Sequence, residues 1–149
     1  IRDYLHEIIS SFKEISKKEF VFNFDQDSNP KKISKSIEIV YGLRNFIGNA
    51  NKFSRSTVFV NLKSDSEITE IIIEDDGDGY PRDILSKIGE PYLKSSYSKN
   101  KSKEGLGLGL FIGKTLLEKN FATINCRNSK TRSGAEVVVS WKNRDLFNI

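Results

Sequence analysis

The segment Ile71-Ile72-Ile73-Glu74-Asp75-Asp76-Gly77-Asp78-Gly79 constrains the fold most. In a strand, alternate side chains share a face, so Ile71, Ile73 and Asp75 point the same way, toward the covered side of a sheet. Gly77 and Gly79 then break the strand. Around this segment the apolar period switches repeatedly between helix and strand. Leu5, Ile8, Ile9, Phe12 and Ile15 predict a helix over about 1–17, and Phe20, Phe22 and Phe24 a strand. Asp25–Lys32 reads as a polar turn. A helix follows over about 34–53, with Ile39, Leu43, Phe46, Ile47, Ala50 and Phe53 on one broad face. Asn45, Asn49 and Lys52 form a narrow stripe away from that face. Val58, Val60 and Leu62 predict the next strand. Pro81 suits the first turn of a short helix to about Ile88. Residues 91–104 are polar, basic and aperiodic, a mobile loop by composition. Gly105, Gly107 and Gly109 open a helix that carries Leu108, Phe111, Ile112, Thr115 and Leu116 on one side. Strands near 122–127 and 135–141, joined by a turn at Ser133-Gly134, complete the chain. This order predicts an α+β two-layer sandwich: a mixed, mostly antiparallel sheet covered on one face by helices, forming one domain over 1–149.

Composition narrows the function classes. With 149 residues, 37% hydrophobic and 30% charged, the chain suits one soluble core. The net charge of +4 suits a polyanionic ligand such as a nucleotide. Nucleic acid is not expected, because no aromatic residues interleave the lysines of 13–18, 31–35 and 94–103. One cysteine, Cys126, and one histidine, His6, exclude an intrachain disulfide, a Cys-based zinc site, a His-ligated metal and a Ser-His-Asp triad. No apolar run approaches the ~18–20 residues of a membrane span. The start at Ile1, inside a predicted helix, reads as that of a fragment. A cytoplasmic location without direct membrane contact is expected, with room for an inner-membrane anchor elsewhere in a parent protein.

Two tempting motifs fail. Gly113-Lys114-Thr115 ends like a P-loop, but the required upstream glycine is Leu108. Asp75–Gly79 is not a calcium loop, since Tyr80 and Ser86 fall where glycine and glutamate are needed. What remains is chemically suggestive. Alternating glycines at a helix start let backbone N–H groups approach an anion. Side-chain amides can hold hydrated Mg²⁺, and a lysine one turn on can meet phosphate oxygens. Each feature alone also has a plain structural reading: a glycine-rich turn, a solvated acidic turn, a wet helix face.

Together and in order they resemble the Bergerat-type (GHKL) ATP-binding domain of sensor histidine kinases. Asn45 through Ser54 resembles the N box, Asp75-x-Gly77-x-Gly79 the G1 box, Glu90-Pro91-Tyr92 the F box, and Gly105-Leu106-Gly107-Leu108-Gly109-Leu110 the G2 box. Gly89–Tyr92, Glu104–Phe111 and Gly134–Trp141 look most like the redox-responsive RegB/PrrB branch. The resemblance implies ATP and Mg²⁺ as cofactors. It implies that Asp75 accepts a hydrogen bond from the adenine amine while Gly77 and Gly79 pass beside the base and Phe53 lies against the ring. Asn49 would coordinate Mg²⁺, with Asn45 near the metal and γ-phosphate. Lys52 and Lys94 would neutralise phosphate charge. Residues 92–104 would form an ATP lid, and the Gly105–Gly109 run, with Leu106 and Leu108 between its glycines, would present N–H groups to the phosphates. Partners implied are a helical-hairpin phosphoacceptor domain of the same protein and a downstream response regulator.

Asn45 separates branches of the resemblance. Gyrase, Hsp90 and MutL relatives carry Glu there as a base, and an amide cannot take that proton, so a kinase is expected over a hydrolase. An anti-sigma-type serine kinase, another ATPase of this superfamily, or a nucleotide-binding pseudokinase module are the alternatives. Leu106 departs from the Thr or Ser common in the G2 box. Asn120 stands where glycine is common after the last helix, and could itself take the left-handed cap. His6-Glu7 resembles a phosphoacceptor motif, but too little chain separates it from Asn45 for two long hairpin helices. His6 is therefore expected on the surface of the first helix, with the true acceptor outside this chain.

Overall fold

A computed structural model describes residues 1–24, 36–85 and 106–146. Ten elements follow in order: α1 (Arg2–Ile15), β1 (Glu19–Phe24), α2 (Ile37–Phe53), β2 (Thr57–Ser64), β3 (Ile68–Asp75), α3 (Arg82–Leu85), α4 (Leu106–Lys119), β4 (Thr123–Asn128), β5 (Ala135–Lys142) and α5 (Asn143–Leu146). The predicted order is found, with the short α5 added. The five strands form one sheet in the order β1-β2-β3-β5-β4. Only β1 and β2 run parallel; the other pairs are antiparallel.

The covered face follows from strand parity. Phe20, Val58, Val60, Leu62, Ile71, Ile73, Val137, Val139 and Trp141 are all buried, and Leu5, Ile8 and Ile9 of α1 and Ile39, Leu43, Phe46 and Ile47 of α2 lie over them. Local chemistry fixes the ends. Ser36 caps α2 by accepting from the N–H of Ile39 at 3.3 Å. Asp65 turns the β2–β3 hairpin, its Oδ1 accepting from the N–H groups of Glu67 and Ile68, both at 2.7 Å. A buried polar chain anchors α5: Thr69 Oγ1 donates to Asn143 Oδ1 at 2.7 Å, and Asn143 Nδ2 donates to the Asp65 carbonyl at 2.8 Å.

Helix α4 departs from its predicted face. Leu108, Phe111, Ile112, Thr115 and Leu116 were expected to line the packed side, yet Leu108 and Thr115 are exposed and the buried positions are Leu110, Gly113 and Leu117. The reason is a close antiparallel seam with α2. A Cβ at Gly42 would lie 2.6 Å from the Leu117 side chain, one at Gly113 2.9 Å from the Phe46 ring and 3.2 Å from the Gly42 carbonyl, and one at Gly109 3.0 Å from the Asn49 amide. Glycine is the contact, which an apolar count cannot register. Gly107 and Gly109 lie in the first turns of α4, at the helix start where the glycine run was expected.

The C-terminus of α4 departs too. Asn120 was the expected left-handed residue, but Phe121 takes that conformation, with φ 72°. The N–H groups of Phe121 and Ala122 bond the carbonyls of Glu118 and Leu117 at 3.1 and 3.0 Å, the paired pattern of a Schellman cap. Asn120 is held elsewhere: its Nδ2 donates to the Leu116 carbonyl, and its own carbonyl accepts from the Trp141 indole at 3.0 Å.

Candidate functional site

A cleft opens where β3 ends and β5 begins, beside α2. From α2 come Phe46, Asn49, Ala50 and Phe53; from β3, Ile73 and Asp75; from the loop after it, Gly79 and Tyr80; from β5, Ala135 and Val137. Asp75 is 3% exposed, as its parity with Ile71 and Ile73 requires. Its Oδ1 accepts from the N–H of Gly77 at 2.8 Å and of Ala135 at 3.3 Å. These N–H groups meet part of the hydrogen-bonding capacity of the buried carboxylate.

Two glycines make room for this arrangement. A Cβ on Gly77 would fall 2.1 Å from the Phe53 carbonyl, and one on Gly134 would fall 2.1 Å from the Asp75 carbonyl. The next residue, Asp76, ties the loop to the end of α2. Its Oδ1 accepts from the N–H groups of Arg55, Ser56 and Thr57 at 2.8, 3.0 and 3.2 Å, and its Oδ2 from the Ser56 hydroxyl at 2.6 Å. Partial burial pushes this carboxyl up, but the Ser56 hydroxyl and the three N–H groups outweigh it and bring it down to about 2. Asp78 adds an exposed ion pair with Arg55 at 2.7 Å.

The structure brings together Asn49, Phe53, Asp75 and Gly79 in one cleft, with Gly77 behind it. Asn49 does not lie away from the apolar face, as its stripe was expected to: it sits between buried Phe46 and Ala50, half-buried beneath the start of α4, where Gly109 leaves space for its amide. Its Nδ2 is buried and has no hydrogen-bond partner among the described residues. Asn45 sits one turn earlier, outside the cleft lining, and donates through Nδ2 to the Tyr41 carbonyl at 2.8 Å. Lys52 is exposed, with its ammonium 5.3 Å from the centre of the Phe53 ring. Leu106, Gly107, Leu108 and Gly109 all belong to the first turns of α4, and Leu108 is exposed. Lys94, Gly105, the F-box residues Glu90–Tyr92 and the expected lid over 92–104 lie outside the described residues.

Sequence reasoning missed several contributors. Ile73 and Val137 share the covered-face parity of Asp75, a usable signal. Tyr80, Ala135, the Asp76 tether and the contact of Asn128 with the Tyr80 backbone carry no local signal, because each depends on which strands meet. Cys126, in β4, is half-buried, and burial pushes its thiol up to about 12, with the charge of Lys114 opposing only in part. Among the described residues no group of three His, Cys, Asp or Glu side chains is placed to hold a metal ion. No described helix is long and apolar enough to cross a membrane.

A buried carboxylate at a strand end, an amide-bearing helix across from it and a glycine-rich helix start meet at one end of an α+β sandwich. Residues 34–145 match the family described as histidine kinase-, DNA gyrase B-, and HSP90-like ATPases, and the chain belongs to that family. It is 38% identical over 130 residues to the sensor histidine kinase RegB of Cereibacter sphaeroides, a match covering 77% of this chain and 28% of the relative. The chain thus spans under a third of the curated relatives it matches first. Among solved structures, the mycobacterial sensor histidine kinase MprB aligns with a TM-score of 0.75 at 21% identity, covering 95% of this chain and 93% of the other. The nucleotide-free catalytic domain of histidine kinase ThkA aligns with 0.76 at 18% identity, covering 95% and 92%. These two show the shared fold.

Proposed function

We propose that this chain is the ATP-binding catalytic domain of a two-component sensor histidine kinase. It binds Mg·ATP and presents the γ-phosphate to a histidine on a separate helical-hairpin phosphoacceptor domain, from which a response regulator is served. The cytoplasm, where ATP is available, is the location this activity requires. The observation that carries the reading is the buried Asp75 carboxylate facing the same cleft as Asn49 and Phe53.

The roles follow from chemistry. A carboxylate reads a donor, so Asp75 suits the exocyclic amine of adenine, a group guanine lacks at that place. Phe53 offers an aromatic face to the base. The buried Asn49 Nδ2, without a partner among the described residues, fits a polar, phosphate-bearing ligand. In this orientation its nitrogen suits a phosphate oxygen; with the amide turned over, its oxygen suits a metal or a metal-bound water. Asn49 and Asn45 are therefore the residues to hold Mg²⁺, which when bound would offset charge on the phosphates. Lys52 and Lys94 add positive charge. Gly107 and Gly109, with Leu106 and Leu108 beside them, bring backbone N–H groups at the start of α4 to the phosphates, and Gly105 precedes them in the sequence. The work of the protein is positioning and charge neutralisation, with no base at Asn45 to activate water.

His6 is exposed on α1 and packs edge-on against Phe22, ring centroids 4.7 Å apart. Helix α1 is part of the core layer, which supports an acceptor histidine on another domain. Calorimetry with Mg·ATP tests the reading. Asp75→Asn, with the fold intact, is expected to weaken binding by roughly 1–3 kcal/mol. Unchanged affinity would remove Asp75 from the site. Incubation with labelled ATP tests the separate acceptor: acid-labile label on His6 would refute it, and fast steady-state hydrolysis would favour a hydrolytic relative.

A further inference from the structure

We infer that Asn128, the last residue of the edge strand β4, is a positioning residue for nucleotide binding, because its amide fixes the Gly79–Tyr80 backbone that walls the cleft. The inference rests on the proposed nucleotide reading of that cleft.

After Asp75 the chain leaves the sheet and regains regular structure only at Arg82. Residues 76–81 must hold a defined path without ladder hydrogen bonds of their own. On one side Asp76 ties them to the α2–β2 junction. On the other side Asn128 ties them, beside Ser133, whose Oγ donates to the Gly77 carbonyl at 3.4 Å. Its Oδ1 accepts from the Tyr80 N–H at 2.6 Å and its Nδ2 donates to the Tyr80 carbonyl at 3.0 Å. One side-chain amide thus engages both backbone groups of one residue, as a neighbouring strand would.

The local geometry is built around this contact. Gly79 has φ +78°, and a Cβ there would stand 2.7 Å from Asn128 Oδ1. Glycine is required twice over, for the backbone conformation and for the approach of the amide. Tyr80, thus held, is 7% exposed and lines the cleft with Gly79. Asn128 also pairs with Ala135 in the β4–β5 ladder, and the Ala135 N–H is a donor to Asp75. The edge strand therefore sets the spacing between the wall at Tyr80 and the carboxylate at Asp75. A wall held in place before binding removes an ordering cost from each ligand. Asn128 itself is exposed at the surface, so its replacement opens no core cavity.

The test is calorimetric titration of the 149-residue chain with Mg·ATP, ADP and inorganic triphosphate, at a temperature where circular dichroism shows every variant folded. Asn128→Ala is expected to raise Kd about tenfold for ATP and for ADP alike, by loss of two hydrogen bonds to the wall. Triphosphate, which lacks the base, should be unaffected. Asn128→Asp keeps the 2.6 Å acceptor contact and loses the donor, so its loss should be smaller. Wild-type affinity in both variants, while Asp75→Asn loses binding, overturns the inference and leaves the nucleotide reading standing. Wild-type affinity in all three overturns both. Equal weakening of triphosphate and ATP assigns Asn128 a general structural role and also overturns the inference.

Discussion

Replacing Asp76 by Asn tests how firmly the loop after β3 is tied to α2. The folded carboxyl stands at about 2, against an ordinary value of 3.8. At about 1.4 kcal/mol per unit, this difference corresponds to roughly 2.4 kcal/mol. Because part of the group meets solvent, about 1–2 kcal/mol is the expected contribution. The sign follows from the direction of the shift. A carboxyl depressed in the folded state stabilises fully above its unfolded value near 4, and loses that contribution as pH falls toward about 2. Asn keeps the shape and one acceptor oxygen but has no charge to lose. The assay is urea unfolding of both proteins at pH 7, 5, 4 and 3. At neutral pH Asp76→Asn should be less stable by about 1–2 kcal/mol, or roughly 3–8 °C in Tm for a domain of this size. That gap should narrow with acidification below pH 4. A gap constant from pH 7 to pH 3, or an NMR titration midpoint for Asp76 near 4, would refute the reasoning.

Phe121 holds a left-handed backbone with a bulky side chain, 54% exposed. Phe121→Gly should therefore stabilise the chain by about 1 kcal/mol in thermal unfolding, and a fall in Tm would count against the cap assignment. Cys126, with its thiol near 12, should resist alkylation at pH 8 in the native state and react once unfolded. Rapid native modification would show that the edge strand opens readily.

The parts legible in the sequence were those encoded in local period. Strand alternation put Asp75 on the covered face, and the order of helices and strands followed from their apolar spacing. The cleft-lining Asn49, Phe53 and Gly79 came from motif resemblance. The face of α4 was misread because the buried side, Leu110, Gly113 and Leu117, is set by the close approach of α2 at Gly113 and Gly109, which hydrophobicity does not mark. The parallel pairing of β1 with β2, and the insertion of β5 between β3 and β4, are choices among strands of similar pattern. Asn128 was invisible for the same reason: its partner, Tyr80, is 48 positions away and is bound through backbone atoms that every residue possesses.

The glycine seam between α2 and α4 has a mechanical corollary. Gly42, Gly113 and Gly109 bring one helix against the other at three successive heights, the last beside Asn49. Side chains can change rotamer, but these contacts involve main chain on at least one side. The separation between the Asn49 amide and the opening turns of α4 is thus a fixed gauge. A ligand gripped between them meets a dimension set by the scaffold, and a shift of either helix must carry the other with it.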